Sequence, residues 1–579
     1  MRIVTGLAAS GKTSMLLREI AEKAEANRGR QILLVPELNS HQMERRLAAA
    51  THNHGARTAE VLTFSRLADR VFAVVGGLAQ QMLTPAGQLL TLQEAARRVQ
   101  VGLTAWSGLA DKPELLSETL ALIDECKSCM IEPEMLFRAS EESALDEDAA
   151  LSAKLCDLAQ ILTQYDSLCE ETLPDPRDRL THLRDGLAES HVLDGAEVYL
   201  DGFLSYTPQE LAIIEVMLSS GVPLTAAVTC DVELPDVFVT GCRTLRTLTR
   251  MAERCSRRPE LVDLGAGKMP RPAGLAAVAN EALLPVRQAH EDASGVRLYE
   301  AASPFDECEH AAAYIRRKVR DEGAHYRDFV IAARDIGPYS ASLAMAMGRY
   351  DIPMFLADKP DLLSRPPMAL VIGALESVRS NFGCRELFGC LKTGLTGLAW
   401  DEIDRLENYA ITWKIHGAAW ERDWVEHPDG YGIPVDEAAQ AQLDELNELR
   451  ARAIAPFAAL RERLKGEQPS AECVRALYDF LLAVDAPRLM EERAAEHDAA
   501  GRLQLADEYR QLWEILVSAM EQFAWVRGDM PLTLDRFAQL FRLVLGEYDV
   551  GTIPVSLDRV TCGNIERACT ENAKYVILL

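Results

Sequence analysis

The feature that most constrains this chain is a short apolar strand, Arg2–Thr5, that runs straight into Gly6-Leu7-Ala8-Ala9-Ser10-Gly11-Lys12-Thr13 and then into a helix. A strand, G-x-x-x-x-G-K-[ST] and a helix together make a phosphate-binding P-loop. Its glycines let backbone N–H groups turn toward a β-phosphate. Lys12 supplies positive charge to the β- and γ-phosphates, and Thr13 offers its hydroxyl to Mg²⁺. The helix N-terminus adds favourable partial charge. These eight residues are expected to bind a nucleoside triphosphate, with Lys12 exposed in the loop. The alternative reading is a Gly-rich turn carrying a lysine.

A P-loop needs a parallel sheet behind it, and the following residues supply one. Lys12 to Ala26 reads as a helix and Gln31 to Pro36 as an apolar strand buried on both faces. A helix follows around His41 to Ala50, then a strand at Ala59 to Thr63. From about residue 79 to 190 the pattern is helical: Ala86–Val101, Lys112–Lys127, Asp148–Thr172. Strand signals return at Glu197–Asp201, a helix at Pro208–Ser219 and a strand at Leu224–Thr229, which is read as completing the first core. A second core is expected to begin with a strand near Val296–Tyr299, with a helix at Glu307–Asp321 and a strand at Phe329–Ala333. The fold class is therefore α/β: two RecA-like P-loop parallel-sheet cores, each with a large helical insertion. The expected divisions are 1–78 and 191–290 for the first core and 79–190 for its insertion. For the second core they are 291–379 and 550–579, with an insertion at 380–549. Tyr575–Leu579 reads as a central parallel strand, so the chain is expected to be a fragment ending inside a truncated second core.

Composition limits the function. The net charge is −27 among 579 residues, which argues against a non-specific nucleic-acid coat and leaves room only for a local basic channel. No run of about 18 apolar residues or signal peptide is visible, so no membrane partner and a cytoplasmic location are expected. Cys126 and Cys129 are the only close cysteine pair, on an amphipathic helix pattern with no second pair, and read as reduced helix thiols rather than metal ligands.

A bound Mg²⁺ also needs a carboxylate at the end of a neighbouring strand. Asp201, after Val198-Tyr199-Leu200, is the candidate; the alternative is a carboxylate that caps the following turn. Hydrolytic P-loop motors usually place an acidic residue next to orient water, and here that position is Gly202. Binding with weak or no hydrolysis is the expectation.

Asp201-Gly202-Phe203-Leu204-Ser205-Tyr206-Thr207-Pro208-Gln209-Glu210 resembles the D-G-F-x-x-[FY]-T-P-Q-E signature of the AddB family, the B subunits of bacterial ATP-dependent helicase/deoxyribonucleases. Gly6–Thr13, Ile32–Glu37 and Val61–Ala68 look like further AddB blocks, the last two where UvrD-like superfamily-one helicases contact DNA. Arg334, Ile352–Phe355 and Pro366-Pro367 resemble the second motor core, and Asp558–Ala568 a counterpart of helicase motif V. The resemblance runs the length of the chain in order. It implies ATP and Mg²⁺ as ligands, an AddA-type helicase–nuclease subunit as partner, and single-stranded DNA from broken duplex ends as substrate. Some family features are missing. Leu38 follows Glu37 where Gln is common, only Met1 precedes the first strand, and Val228-Thr229-Cys230-Asp231 has no γ-phosphate-sensing glutamine. The family's nuclease domain and 4Fe-4S cysteines belong to a C-terminal part that these residues do not include.

Single-strand grooves combine phosphate neutralisation with aromatic stacking. Asn39, Thr63, Phe64, Ser65 and Arg66 are the DNA-contact candidates, with Arg70 one helical turn beyond. Phe64 reads either as a base-stacking ring or as a core residue. Arg66 and Arg70 read as phosphate contacts or as a solvated face. Arg334 is a candidate nucleotide contact or a partner of Asp335. The reading is the helicase-like subunit of a recombination–repair helicase–nuclease. Its rivals are a P-loop kinase or NTPase unrelated to DNA, and a scaffold with a vestigial P-loop.

Overall fold

The computed structural model describes residues 1–52, 58–145, 148–265, 271–281, 289–356, 362–548, 558–566 and 573–579. The fold is α/β, with two parallel-sheet cores of RecA-like type and large helical segments. The chain divides into two compact units. One comprises residues 1–83, 94–110 and 115–298; the other comprises 84–93, 111–114 and 299–579.

The first unit is built on six strands: β1 (Arg2–Gly6), β2 (Arg30–Leu34), β3 (Ala59–Leu62), β4 (Ala196–Leu200), β5 (Leu224–Thr229) and β6 (Glu260–Asp263). Their order is β3-β2-β4-β5-β1-β6, and every pairing is parallel. Strand periodicity sends alternate side chains to opposite faces. Ile32 and Leu34 enter one apolar cluster, while Leu33 and Val35 enter another on the far face. The continuous apolar run of β2 thus follows from burial on both sides. Helices α1 (Lys12–Glu25) and α2 (Ser40–Ala50) connect the first three strands. Among the described residues six α-helices separate β3 from β4: α3 (Phe64–Val75), α4 (Pro85–Val99), α5 (Pro113–Ser128), α6 (Pro133–Leu145), α7 (Ala149–Glu171) and α8 (Arg179–Ser190). Helices α9 (Pro208–Ser219) and α10 (Val239–Arg254) follow β4 and β5.

β6 corrects the sequence reading, which closed this core at Leu224–Thr229. Its residues Arg2↔Glu260 to Thr5↔Asp263 pair along the free side of β1. Three of its four residues are exposed, so no apolar run announces it.

α11 (Ala273–Glu281) still belongs to the first unit; the second continues with α12 (Pro304–Glu322), β7 (Phe329–Ala333), α13 (Ser340–Arg349) and β8 (Met354–Leu356). Val296–Tyr299 is not a strand; it is irregular, and Leu298 is fully exposed. An apolar alternation without a partner strand has no ladder to join. A helical stretch from Pro366 to Gly546 carries one antiparallel ribbon, β9 (Glu467–Pro469) with β10 (Pro531–Thr533). β11 (Val560–Asn564) and β12 (Tyr575–Leu578) complete a four-stranded parallel sheet, β12-β7-β11-β8. β12 lies at one edge of this sheet with alternating burial, its one partner here being β7. Of the segment Asp558–Ala568, Arg567 and Ala568 lie outside the described residues. Among the described residues, no helix is long and apolar enough to cross a membrane.

Candidate functional site

The P-loop leaves β1 at Gly6, whose φ of 149° is unfavourable for a side chain. A Cβ there would sit 2.6 Å from Ser10 Oγ and 3.2 Å from the Gly265 carbonyl, so only glycine lets the loop close. Ala9 and Gly11 take positive φ, 61° and 94°, and Gly11 caps the start of α1. Contrary to the expectation of an exposed lysine, Lys12 is buried. Its ammonium turns back onto the loop and donates to the Gly6 and Leu7 carbonyls, each at 2.8 Å. Charge-assisted bonds to fixed carbonyls pin an otherwise flexible side chain against the loop. Thr13 stands half-buried in the first turn of α1.

Asp201 follows β4 directly and is buried, with its backbone N–H donating to the Leu34 carbonyl at 3.1 Å. β5 lies between β4 and β1. Asp201 is thus one strand further from the P-loop than the neighbouring position expected, about 10 Å at the usual strand spacing. Between them, at the end of β5, sits Cys230, which bridges to Gly6. Burial pushes its thiol up to about 11, with nearby Cys242 adding and Lys12 opposing. A neutral thiol occupies the strand end between carboxylate and ammonium. Among the described residues no group of three His, Cys, Asp or Glu could hold a metal alone. Thr13 and Asp201 are oxygen donors that fit Mg²⁺ held jointly by one or two protein groups and phosphate oxygens, the usual arrangement for this ion.

Sequence reasoning missed the support that β6 gives. Asp263 Oδ1 accepts from Thr5 Oγ1 and from the Gly265 N–H, both at 3.1 Å. The Gly265 carbonyl accepts the Leu7 N–H at 3.1 Å. The aspartate ending Glu260-Leu261-Val262-Asp263 was the available signal.

Gly202 adopts φ 83°, and a Cβ on it would meet Asn39 Nδ2 at 3.1 Å and Pro36 Cδ at 3.3 Å. The position that would carry a water-orienting acid is thus shaped for glycine. Asn39, half-buried at the start of α2, is brought beside the Asp201–Gly202 turn by the same packing. Thr63 is buried and caps α3 by accepting the Arg66 N–H at 3.2 Å. Phe64 is buried edge-on to Phe203, with centroids 5.7 Å apart, so it stands as a core ring. Ser65 is exposed. Arg66 pairs with Glu44, and Arg70 with Glu60 at 3.1 Å. Surface pairs of this kind are worth about 0–1 kcal/mol, so exchange with another anion costs little. A cleft of about 550 Å³ runs beside β3, lined by Glu44, Leu47, Glu60, Leu62, Arg66 and Arg70.

Arg334 belongs to the second unit, exposed at the C-terminal end of β7. Asp335 there accepts the Gly337 N–H at 3.1 Å, and no Arg334–Asp335 ion pair forms. On α5, Cys126 is buried with its thiol pushed up by that burial, and Cys129 follows the helix; both are free.

Residues 3–268 match the protein family described as ADDB, N-terminal. Along its whole length the chain is 30% identical to the B subunit of the ATP-dependent helicase/deoxyribonuclease of Acetivibrio thermocellus, covering 52% of that protein. It is 29% identical to the proteins of the same name from Clostridioides difficile and Caldanaerobacter subterraneus, again over the whole chain and 51% of each relative. The chain spans about half the length of the curated relatives it matches.

Proposed function

We propose that the chain, similar along its whole length to B subunits of ATP-dependent helicase/deoxyribonucleases, is the helicase-like part of an AddAB-type helicase–nuclease. It acts in the cytoplasm in double-strand-break repair by recombination. It binds ATP with Mg²⁺ in the first unit, engages single-stranded DNA from broken ends, and works beside an AddA-type subunit. Nuclease activity and a 4Fe-4S cluster are left to family regions beyond these residues.

The observation that carries this reading is the placement of Lys12 and Asp201 at the C-terminal ends of β1 and β4, flanking the end of β5. Ligands of open parallel sheets bind at those ends. Lys12 meets β/γ-phosphates, Thr13 and Asp201 hold Mg²⁺, and the α1 N-terminus adds its partial charge. Gly202 and Cys230 supply no group to activate or report on an attacking water, so this subunit binds ATP and turns it over slowly. A P-loop kinase shares Lys12 and Asp201 but has no need of a second parallel sheet or of the whole-chain similarity.

The test is the affinity of a non-hydrolysable ATP analogue with Mg²⁺. Lys12→Ala is expected to weaken it at least tenfold while the protein stays folded. Because Lys12 is buried against two carbonyls, its loss is expected to cost about 1 kcal/mol of stability. Unchanged affinity would remove the nucleotide reading. Turnover by the wild-type chain at the common enzyme rate of about 10 per second would remove the weak-motor reading.

A further inference from the structure

Nucleotide binding uses Asp201 and Gly202 but leaves the rest of that segment, Phe203–Glu210, without a role. Its geometry supplies one. Phe203 stacks on Tyr206 with centroids 4.9 Å apart. Thr207 and Glu210 form a reciprocal cap at the start of α9, the Glu210 N–H donating to Thr207 Oγ1 at 3.2 Å and the Thr207 N–H to Glu210 Oε2 at 2.8 Å. Next in line, Gln209 is buried. Its Nε2 donates to the Arg177 carbonyl and to Thr181 Oγ1, both at 3.0 Å. Arg177 continues the path by donating from Nε to Asp124 on α5 at 2.5 Å. Beside it Lys127 of α5 donates to Asp178 at 2.7 Å and pairs with Asp166 of α7 at 2.8 Å. A line of capped, hydrogen-bonded and ion-paired groups thus joins Asp201 to the helices inserted between β3 and β4.

One group on this line is under-satisfied. The Tyr206 hydroxyl is buried with no hydrogen-bond partner among the described residues. Burying a hydroxyl without a partner is costly.

We infer that Phe203–Glu210 is a strut through which the inserted helices set the position of Asp201, with Gln209 as its positioning residue. The inference rests on the Mg²⁺–ATP reading above. A load on α5 or α7 moves Arg177, Gln209 follows, and the capped end of α9 carries the movement to the carboxylate.

The test is the ratio of ATP-analogue affinity with Mg²⁺ to that without it, measured on the whole chain. Gln209→Met and Asp124→Asn are each expected to lower this ratio about fivefold or more, with Mg²⁺-free affinity unchanged. Their combination is expected to lower it no further than either alone, because both cut one path. Tyr206→Phe is expected to raise the thermal midpoint. A purely structural residue would move only the midpoint. Asp124 is largely exposed, so its variant keeps the test alive if Gln209→Met does not fold. Unchanged ratios, or parallel losses with and without Mg²⁺, overturn the strut. A wild-type affinity indifferent to Mg²⁺ and to Lys12→Ala overturns the nucleotide reading as well.

Discussion

In the first sheet, neighbouring residues of a single strand enter two separate apolar clusters, so β2 is closed on both faces. In the second, β7 is as deeply buried, but β8 is half-buried throughout and β12 exposes every other residue. The sequences do not explain this. Val576-Ile577-Leu578 is as apolar as Ile32-Leu33-Leu34, yet Val576 and Leu578 are 49% and 66% exposed while the three residues of β2 are at most 1% exposed. Edge position alone does not decide burial either: β3 is an edge strand of the first sheet, yet Ala59 and Val61 are buried with Met43 and Leu47 of α2. An edge strand is buried where a helix covers it, and β12 lacks that cover on alternate residues. The strands that end at Lys12 and Asp201 both lie inside their sheet.

The sharpest way to break this comparison is to cut both strands alike. Ile32→Ala is expected to cost about 2–5 kcal/mol, whereas Val576→Ala should stay within about 0.5 kcal/mol. Hydrogen exchange at the β2 and β12 amides reads the two units separately, and equal losses would show that the missing cover is immaterial. Next in size is Gly202→Glu. The backbone at φ 83° and the contacts to Asn39 and Pro36 predict a cost of about 1–2 kcal/mol. ATP turnover should not rise, because Cys230 remains at the end of β5; a rise would mean that one carboxylate is all the site lacks. The smallest effect concerns the second sheet and pH. Burial alone would raise the Asp328 carboxyl, but the His325 N–H and the Lys574 ammonium outweigh it and hold the group below its ordinary value of 3.8. A carboxylate lowered on folding stabilises above its unfolded pKa and loses that contribution as pH falls through the folded one. Asp328→Asn should therefore remove about 1 kcal/mol or less at neutral pH and flatten the stability profile below about pH 4. A profile unchanged by the substitution would show that the Lys574 contact is idle.

Much of this was legible in the sequence, for reasons that differ by residue. Gly6–Thr13 was readable because a P-loop is a local device: strand, turn and helix N-terminus are contiguous, and no distant contact is needed to recognise them. Phe329–Ala333 was readable because interior parallel strands carry unbroken apolar runs, and Leu224–Thr229 because only Thr225 interrupts its run before Thr229. β6 was not, because an exposed edge strand has no such run and exists only through pairing with residues far away in sequence. Val296–Tyr299 was misread for the converse reason, an apolar pattern with no strand to pair with. The direction of the Lys12 side chain was hidden too. Residue type places an ammonium in the loop, but only the folded loop shows carbonyls converging on it. Asp263 and Gly265 became visible as supports of the loop only when β6 was.

The strand order also governs how the molecule is made. β2 and β3 are adjacent in sequence and in the sheet, so they can pair as soon as they are synthesised. β1 cannot. Its first partner on one side is Thr225 and on the other Glu260. At a synthesis rate of roughly 5–20 residues per second, the roughly 220 residues separating β1 from β5 take about 10–45 seconds to emerge. For that interval Ile3 and Val4 have no ladder to join, and the nucleotide loop behind them is unformed. β1 is thus among the last strands of its sheet to gain partners, although it precedes the others in the sequence.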